Sequence, residues 1–282
     1  MGVFDHDPIL GCVVARGAER RDGEVTPDTG FERALRFLRA ADERASTSVE
    51  RFEFGTAYLH DRLPRVWDRN FLGVETLPRD VEASALAAEA ERIQGGAGLA
   101  HRKLVFDDPG AWPRLALELA SGGWQTRRLA LMTFARPVPG ATPGSAREVE
   151  SQALLPAQEQ FLRSEPYGRD DDAVRQLMEA DVVHSEAVGL QRCFASFEGG
   201  EVMAFCRLYS DGHCAQIEDV ATLLKARARG HGTAVVAAAL AAAAGSDIVF
   251  VLAVADDWPR RWYQRLGFKT VGHRAEAVLV SA

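Results

Sequence analysis

The chain has 282 residues, 47% of them hydrophobic and 26% charged, with a formal net charge of −7. This is the make-up of an ordinary soluble protein of one or two domains, and it excludes the broad positive footprint of a nucleic-acid binder while favouring cationic substrates. No run of about eighteen apolar residues exists to span a membrane, and residues 1–15 carry Asp5 and Asp7 without a basic n-region, so the expected location is cytoplasmic with no membrane partner.

In chain order, residues 1–28 are polar and read as a flexible N-terminal segment. A helix is predicted at about 30–44, strands at 52–59 and 66–75, a helix at about 79–94, a strand at 103–106 and a helix opening at Asp107-Asp108. Residues 136–144, rich in Pro and Gly, read as an extended connection, which places a linker at 137–146 between domains at 29–136 and 147–282. Beyond it come a helix at about 170–186, strands at 193–197, 202–209 and 214–222, a loop, a helix at 233–244 and a buried strand at 246–254. A short helix then opens at Asp256-Asp257-Trp258-Pro259 and stops at Leu266-Gly267-Phe268.

The two halves share local words. Asp107-Asp108 leads to Trp112-Pro113-Arg114 and Gly123-Trp124, and Asp256-Asp257 leads to Trp258-Pro259-Arg260 and Gly267-Phe268, which reads as a duplicated fold. The four cysteines, Cys12, Cys193, Cys206 and Cys214, lack C-x-x-C spacing, so reduced thiols and no metal site are expected.

The most informative motif is Arg227-Ala228-Arg229-Gly230-His231-Gly232, between a strand and an Ala/Val-rich helix. Successive backbone N–H groups entering a helix N-terminus cradle an anion, and glycines let a phosphate approach the backbone. No Gly-Lys-Ser/Thr follows, and Val235 stands where a dinucleotide fingerprint needs its third glycine. The spacing R-x-x-G-x-G resembles the pyrophosphate loop of the GCN5-related N-acetyltransferases (GNAT superfamily), and Tyr263-x-x-Leu266-Gly267-Phe268, about thirty residues later, is similar to that family's last block. The resemblance covers roughly residues 170–282.

It implies an α+β fold of two tandem GNAT-like domains, each a mixed, mostly antiparallel twisted sheet flanked by helices. It also implies transfer of an acetyl group from acetyl-CoA to an amine by direct attack on the thioester, with no metal. The backbone of Val220 and Thr222 would contact the pantetheine arm, and Arg227, Ala228, Arg229, Gly230, His231, Gly232 and Thr233 would surround the pyrophosphate. Asp256 stands where many relatives carry a cofactor-orienting asparagine, and is equally readable as a helix N-terminal residue.

Tyr263 is the candidate proton donor to the departing thiolate, since a phenol of pKa about 10 can protonate a thiolate whose conjugate thiol has pKa about 8.5. Glu218 is the candidate base, and strand alternation would turn Asp219 to the opposite face. His213 reads as a turn residue, His231 as loop filler, and His184 as helix surface. In the first half, Leu77-Pro78-Arg79-Asp80-Val81-Glu82 replaces the phosphate loop and Leu117 falls at the offset of Tyr263, which reads as a degenerate domain that shapes the substrate cleft. The acceptor class is a small-molecule or peptide amine, and a homodimer is left open. Two alternatives stand beside this reading: a non-catalytic acyl-CoA-binding regulator, and a transferase of a larger acyl group.

Overall fold

The structure is a computed structural model that describes residues 29–107, 110–135 and 146–280. The expected segment 1–28 and all but the last residue of the expected linker lie outside the described residues. Helix α1 (Gly30–Ala45) is opened by a reciprocal capping box between Thr29 and Glu32. Strands β1 (Ser48–Phe52) and β2 (Gly55–Leu59) then form a hairpin where one strand was predicted. There follow β3 (Phe71–Val74), α2 (Ala83–Ala90) running into a π-helical turn at Glu91–Gly95, β4 (His101–Phe106), α3 (Trp112–Ser121) and β5 (Gln125–Phe134).

The second half contains β6 (Ala146–Val149), α4 (Leu155–Ser164), α5 (Asp171–Val188), β7 (Leu190–Glu198), β8 (Glu201–Ser210) and β9 (Cys214–Thr222). It ends with α6 (His231–Ala242), β10 (Ile248–Val254), α7 (Trp258–Arg265) and β11 (Phe268–Val280). Asp170 caps α5 by accepting from the N–H groups of Asp172 and Ala173. Asp107 does not open α3 as predicted: it is buried in ion pairs, and the helix starts at Trp112 with Pro113 in its first turn and no side-chain cap.

Among the described residues the strands form one sheet of 11 in the order β1-β2-β3-β4-β11-β5-β10-β9-β8-β7-β6. Only β3 with β4 and β9 with β10 run parallel; the other pairs are antiparallel. The α+β class is as expected, but the two expected sheets are continuous because the halves exchange their last strands. β5, from the first half, lies between β11 and β10, and β11, from the second, lies between β4 and β5.

Helices cover both faces, which explains the continuous apolar run Ile248–Val254 in a strand buried on two sides. On one face α6 and α7 pack on Ala130, Met132, Val251 and Phe268, and the α2–α3 pair packs on Leu72, Leu104, Ala275 and Ala277. On the other, α1 places Phe37 and Leu38 over Leu131 and Phe250 beside α5. Each fully buried Leu or Phe contributes about 1.5–3 kcal/mol. No helix among the described residues is long and apolar enough to cross a membrane.

Polar side chains are buried where β4 and β11 pair across the halves. Asp107 accepts from Arg274 Nε and Arg39 Nε, each at 2.7 Å, and Lys103 lies 3.3 Å from Glu276. Asp107→Ala leaves Arg274 buried without its carboxylate, and a loss of about 3–5 kcal/mol is expected. Urea unfolding at pH 7 with an unchanged m-value checks it; a loss below about 1 kcal/mol would show that solvent reaches Arg274.

Candidate active site

Strands β9 and β10 pair only from Cys214 opposite Ile248 to Gln216 opposite Phe250, and part beyond that point. β9 also carries a bulge: Phe205 faces Ala221 and Arg207 faces Glu218, so Asp219 and Val220 share Cys206 as partner. Asp219 takes φ 52°, the left-handed region. The parting leaves one backbone edge of β9 open, where a ligand can pair with it.

The chain leaves β9 through Leu223 and a 3₁₀ turn at Leu224–Ala226, then enters α6. Ala228 at φ 61° and Gly230 at φ 86° are both left-handed, and Gly230 is the N-cap. A non-glycine residue held there costs about 1–2 kcal/mol, a strain typical of functional loops. No side chain caps α6, so the N–H groups of its first turn point outward at the positive end of the helix dipole. A Cβ at Gly232 would meet Thr222 Oγ1 at 3.0 Å and the Trp262 ring at 3.6 Å, so the helix start fits closely against strand and aromatic.

These elements enclose a cleft of about 660 Å³ lined by Val220, Thr222, Arg227, Ala228, Gly230, His231, Gly232 and Thr233, together with Phe161 of α4 and Trp258 and Trp262 of α7. Two residues expected with them stand elsewhere. Arg229 turns to Glu198, and Asp256 is exposed and 3.4 Å from Arg128 on β5. The α7 cap is Asp257, which accepts from Trp258 N at 2.6 Å. His231 is fixed by Ser196 Oγ, 2.8 Å from its Nδ1. Trp258 is 66% exposed although it lines the cleft, an aromatic surface that the sequence reading missed.

Tyr263 is 6% exposed and does not line the cleft; its ring packs on Trp262 and Phe268 at 4.8 and 5.5 Å. Burial, aided by Cys206 and Glu218, pushes its phenol well above 10, so it stays protonated. Glu218 lies on the opposite face of β9; its side chain as a whole is 40% exposed, but its Oε2 is sealed from solvent 3.5 Å from His184 Nε2. Burial first, then the Asp219 carboxylate, pushes Glu218 up to about 8 against the opposing charge of Arg69.

His184 is not helix surface as expected. It is 5% exposed, edge-on to Tyr209 at 4.6 Å, and burial with Arg69 and Arg207 lowers it to about 3, a neutral ring. Its signal was present in the sequence: Val174, Ala180, His184 and Ala187 form the buried stripe of α5. Asp219 does not turn away either. The bulge interrupts alternation, and its Oδ2 accepts from Arg207 at 2.9 Å on the Glu218 side.

The first half lacks both halves of this construction. β3 and β4 stay paired to their ends, from Leu72 opposite Leu104 to Val74 opposite Phe106. At the start of α2 the Ala83 N–H already donates to Glu118 Oε2 at 3.0 Å, with Arg114 holding Glu118 at 2.7 Å. The chain's own carboxylate thus takes the place an external anion would need. Leu117, at the offset of Tyr263, is exposed. Among the described residues no group of three or more His, Cys, Asp and Glu could hold a metal.

Residues 155–268 match the model of the acetyltransferase (GNAT) family. The fold is similar to that of a functionally unknown conserved protein from Staphylococcus epidermidis, at 15% identity and TM-score 0.63 over 83% of this chain and 94% of that one. It is similar also to a GCN5-related N-acetyltransferase from Kribbella flavida, at 20% identity and TM-score 0.58 over 87% and 95% of the two chains. A GCN5-related N-acetyltransferase from Sphaerobacter thermophilus gives 17% identity and TM-score 0.53 over 80% and 76%. At these identities the likeness is one of fold. No curated protein sequence matches the chain.

Gly232→Val would drive a branched side chain into Thr222 and Trp262 at the mouth of the α6 cradle. Coenzyme A affinity is expected to fall by about tenfold or more, a loss of about 1.4 kcal/mol, in calorimetry on a variant with a normal melting transition. Unchanged affinity would remove the α6 start from the binding surface.

Proposed function

We propose that the chain, residues 155–268 of which match the model of the acetyltransferase (GNAT) family, transfers an acetyl group from acetyl-CoA to an amine, with the cleft beside α6 as its acyl-CoA site. The observation that carries this reading is the meeting, at one cleft, of parted strands, an uncapped helix start and a left-handed glycine. When bound, acetyl-CoA supplies an acyl thioester open to attack by an amine.

The first-turn N–H groups of α6 and the Arg227 side chain, otherwise held only at 3.4 Å by the Thr222 carbonyl, receive the pyrophosphate. The free edge at Val220 and Thr222 aligns the arm, and Trp258 and Trp262 exclude water along it. Arg229 and Asp256 have no direct part in holding the ligand, given their exposed ion pairs.

Glu218 accepts the proton of the incoming ammonium. A carboxylate near 8 has useful affinity for that proton, and the acidic groups around it favour a cationic acceptor. In this reading Tyr263 is the proton donor to the departing sulfur. Its ring packs behind the cleft-lining Trp262, so donation requires its hydroxyl to gain access to the cleft when the coenzyme binds, and burial, by raising the phenol, makes that donation harder. The α2 start, closed by Glu118, takes no coenzyme.

Calorimetry is therefore expected to give one coenzyme A per chain, with quenching of tryptophan fluorescence from the cleft wall, and an amine panel with acetyl-CoA to release free thiol. A stoichiometry of two would reopen the first half as a site. Binding with no thiol release across the panel would favour the regulatory alternative.

Tyr263→Phe should lower kcat by about 10²- to 10⁴-fold with near-normal coenzyme affinity. Because the base works only when ionised, kcat/KM of the parent should rise with pH through a midpoint near 8, the value to which burial brings Glu218. Glu218→Gln should lose that limb. A drop below about threefold in Tyr263→Phe would return the tyrosine to a packing role.

A further inference from the structure

The side chains of β9 change face part-way along the strand. Ala215 and Ile217 pack in one cluster with Val235 and Val236 of α6, and Val220, three residues beyond Ile217, packs against that same cluster. Ala221 and Leu223, odd-numbered like Ile217, lie instead in the cluster of Leu154 and Phe205, whose neighbours Ala204 and Cys206 pack on the α6 side. An uninterrupted strand would keep all four odd-numbered residues on one face. The reversal falls at the bulge where Asp219 and Val220 share Cys206 as partner, so the extra residue is what turns Val220 and Thr222 toward α6 and the cleft.

This bulge is strained and anchored at the same residue. Asp219 takes φ 52°, a region unfavourable to a residue with a Cβ. Its Oδ2 accepts from Arg207 at 2.9 Å, and Arg207, opposite Glu218 on β8, has a side chain only 2% exposed. The same guanidinium donates to Gln158 Oε1 at 2.8 Å and lies 3.4 Å from Asp181 Oδ2. Gln158 stands one turn before Phe161 on α4, and the Phe161 ring lines the cleft and meets Phe205 edge-on at 6.4 Å. One buried charge thus joins the bulge to a second element of the cleft wall.

We propose that Arg207 is a positioning residue for the coenzyme site: its ion pair with Asp219 holds the bulge and so keeps Val220 and Thr222 facing the cleft. Without the pair, the strain at residue 219 favours regular alternation, which would turn both residues to the α4 side. This rests on the reading of the cleft as an acyl-CoA site. A glycine at position 219 adopts a left-handed conformation freely and an alanine does not, which separates a held bulge from general damage.

The test measures coenzyme A affinity by calorimetry in full-length Asp219→Ala, Asp219→Gly, Arg207→Met and the double variant Arg207→Met/Asp219→Gly. Asp219→Ala and Arg207→Met should each bind about tenfold more weakly, the factor that matches the strain of a left-handed residue bearing a Cβ. Asp219→Gly and the double variant should stay within about threefold of the parent. A merely structural role would make Asp219→Gly at least as weak as Asp219→Ala and would add the losses in the double variant. That pattern, or parent-like affinity in Asp219→Ala or Arg207→Met, overturns the proposal. Should the Arg207 variants not fold, the two Asp219 variants decide alone. If the parent itself binds no coenzyme A, the cleft assignment falls, and the amide–Hα coupling of residue 219 in NMR decides the rest: a positive φ in the parent that is lost in Asp219→Ala supports the anchor, and a positive φ kept in that variant overturns it.

Discussion

The ladder between β5 and β11 runs from Phe134 opposite Phe268 to Gln125 opposite Val278, and because each strand comes from a different half, neither half can close its sheet without the other. Removing either strand would strip backbone partners from the middle of the sheet, where unpaired N–H and C=O groups are costly. β11 accommodates this by an irregularity between Thr270 and Gly272, where a Cβ on Gly272 would run into the Phe31 ring at 2.3 Å. The buried pairs Arg274–Asp107 and Lys103–Glu276 sit where β11 meets β4. Desolvation offsets much of their attraction, so their main effect is to make a slipped register expensive.

Joined this way, the halves differ in one respect that decides which of them holds a cleft. The parallel pair β9/β10 separates after Gln216, whereas β3/β4 stays closed to Val74 and Phe106. The helix that follows the open pair begins without a side-chain cap, and the one that follows the closed pair begins on Glu118. A single carboxylate at a helix N-terminus takes up an N–H and supplies negative charge where a phosphate would otherwise be attracted.

The joint also sets the electrostatics beside β9. Burial raises Glu218 and Asp181 together and Asp219 adds to both, while Arg69 opposes this at both and Arg207 at Asp181. Carboxylates so close share their protons, so the ionisation of Glu218 belongs to the group rather than to one residue. The bulge at Asp219 is what gathers them, since regular alternation would have sent adjacent side chains to opposite faces.

The sequence by itself determined the elements whose signals are local. The strand Cys214–Thr222 was legible to the residue, and the loop from Arg227 to Gly232, the following helix and the run Ile248–Val254 were legible because turn chemistry and apolar periodicity act over a few residues. Most of the expected coenzyme contacts, from Val220 through Thr233, do line one cleft. Strands β5 and β11 and helix α4 were not legible: in the two strands Arg127, Arg128, Arg274 and Glu276 interrupt the apolar pattern, and they do so because their partners lie far away in sequence. Likewise the burial of Leu63 and Val66 against Ala180 of α5, the burial of His184 and the outward turn of Asp256 depend on which surfaces meet when strands from two halves pair, and no local spacing encodes that meeting.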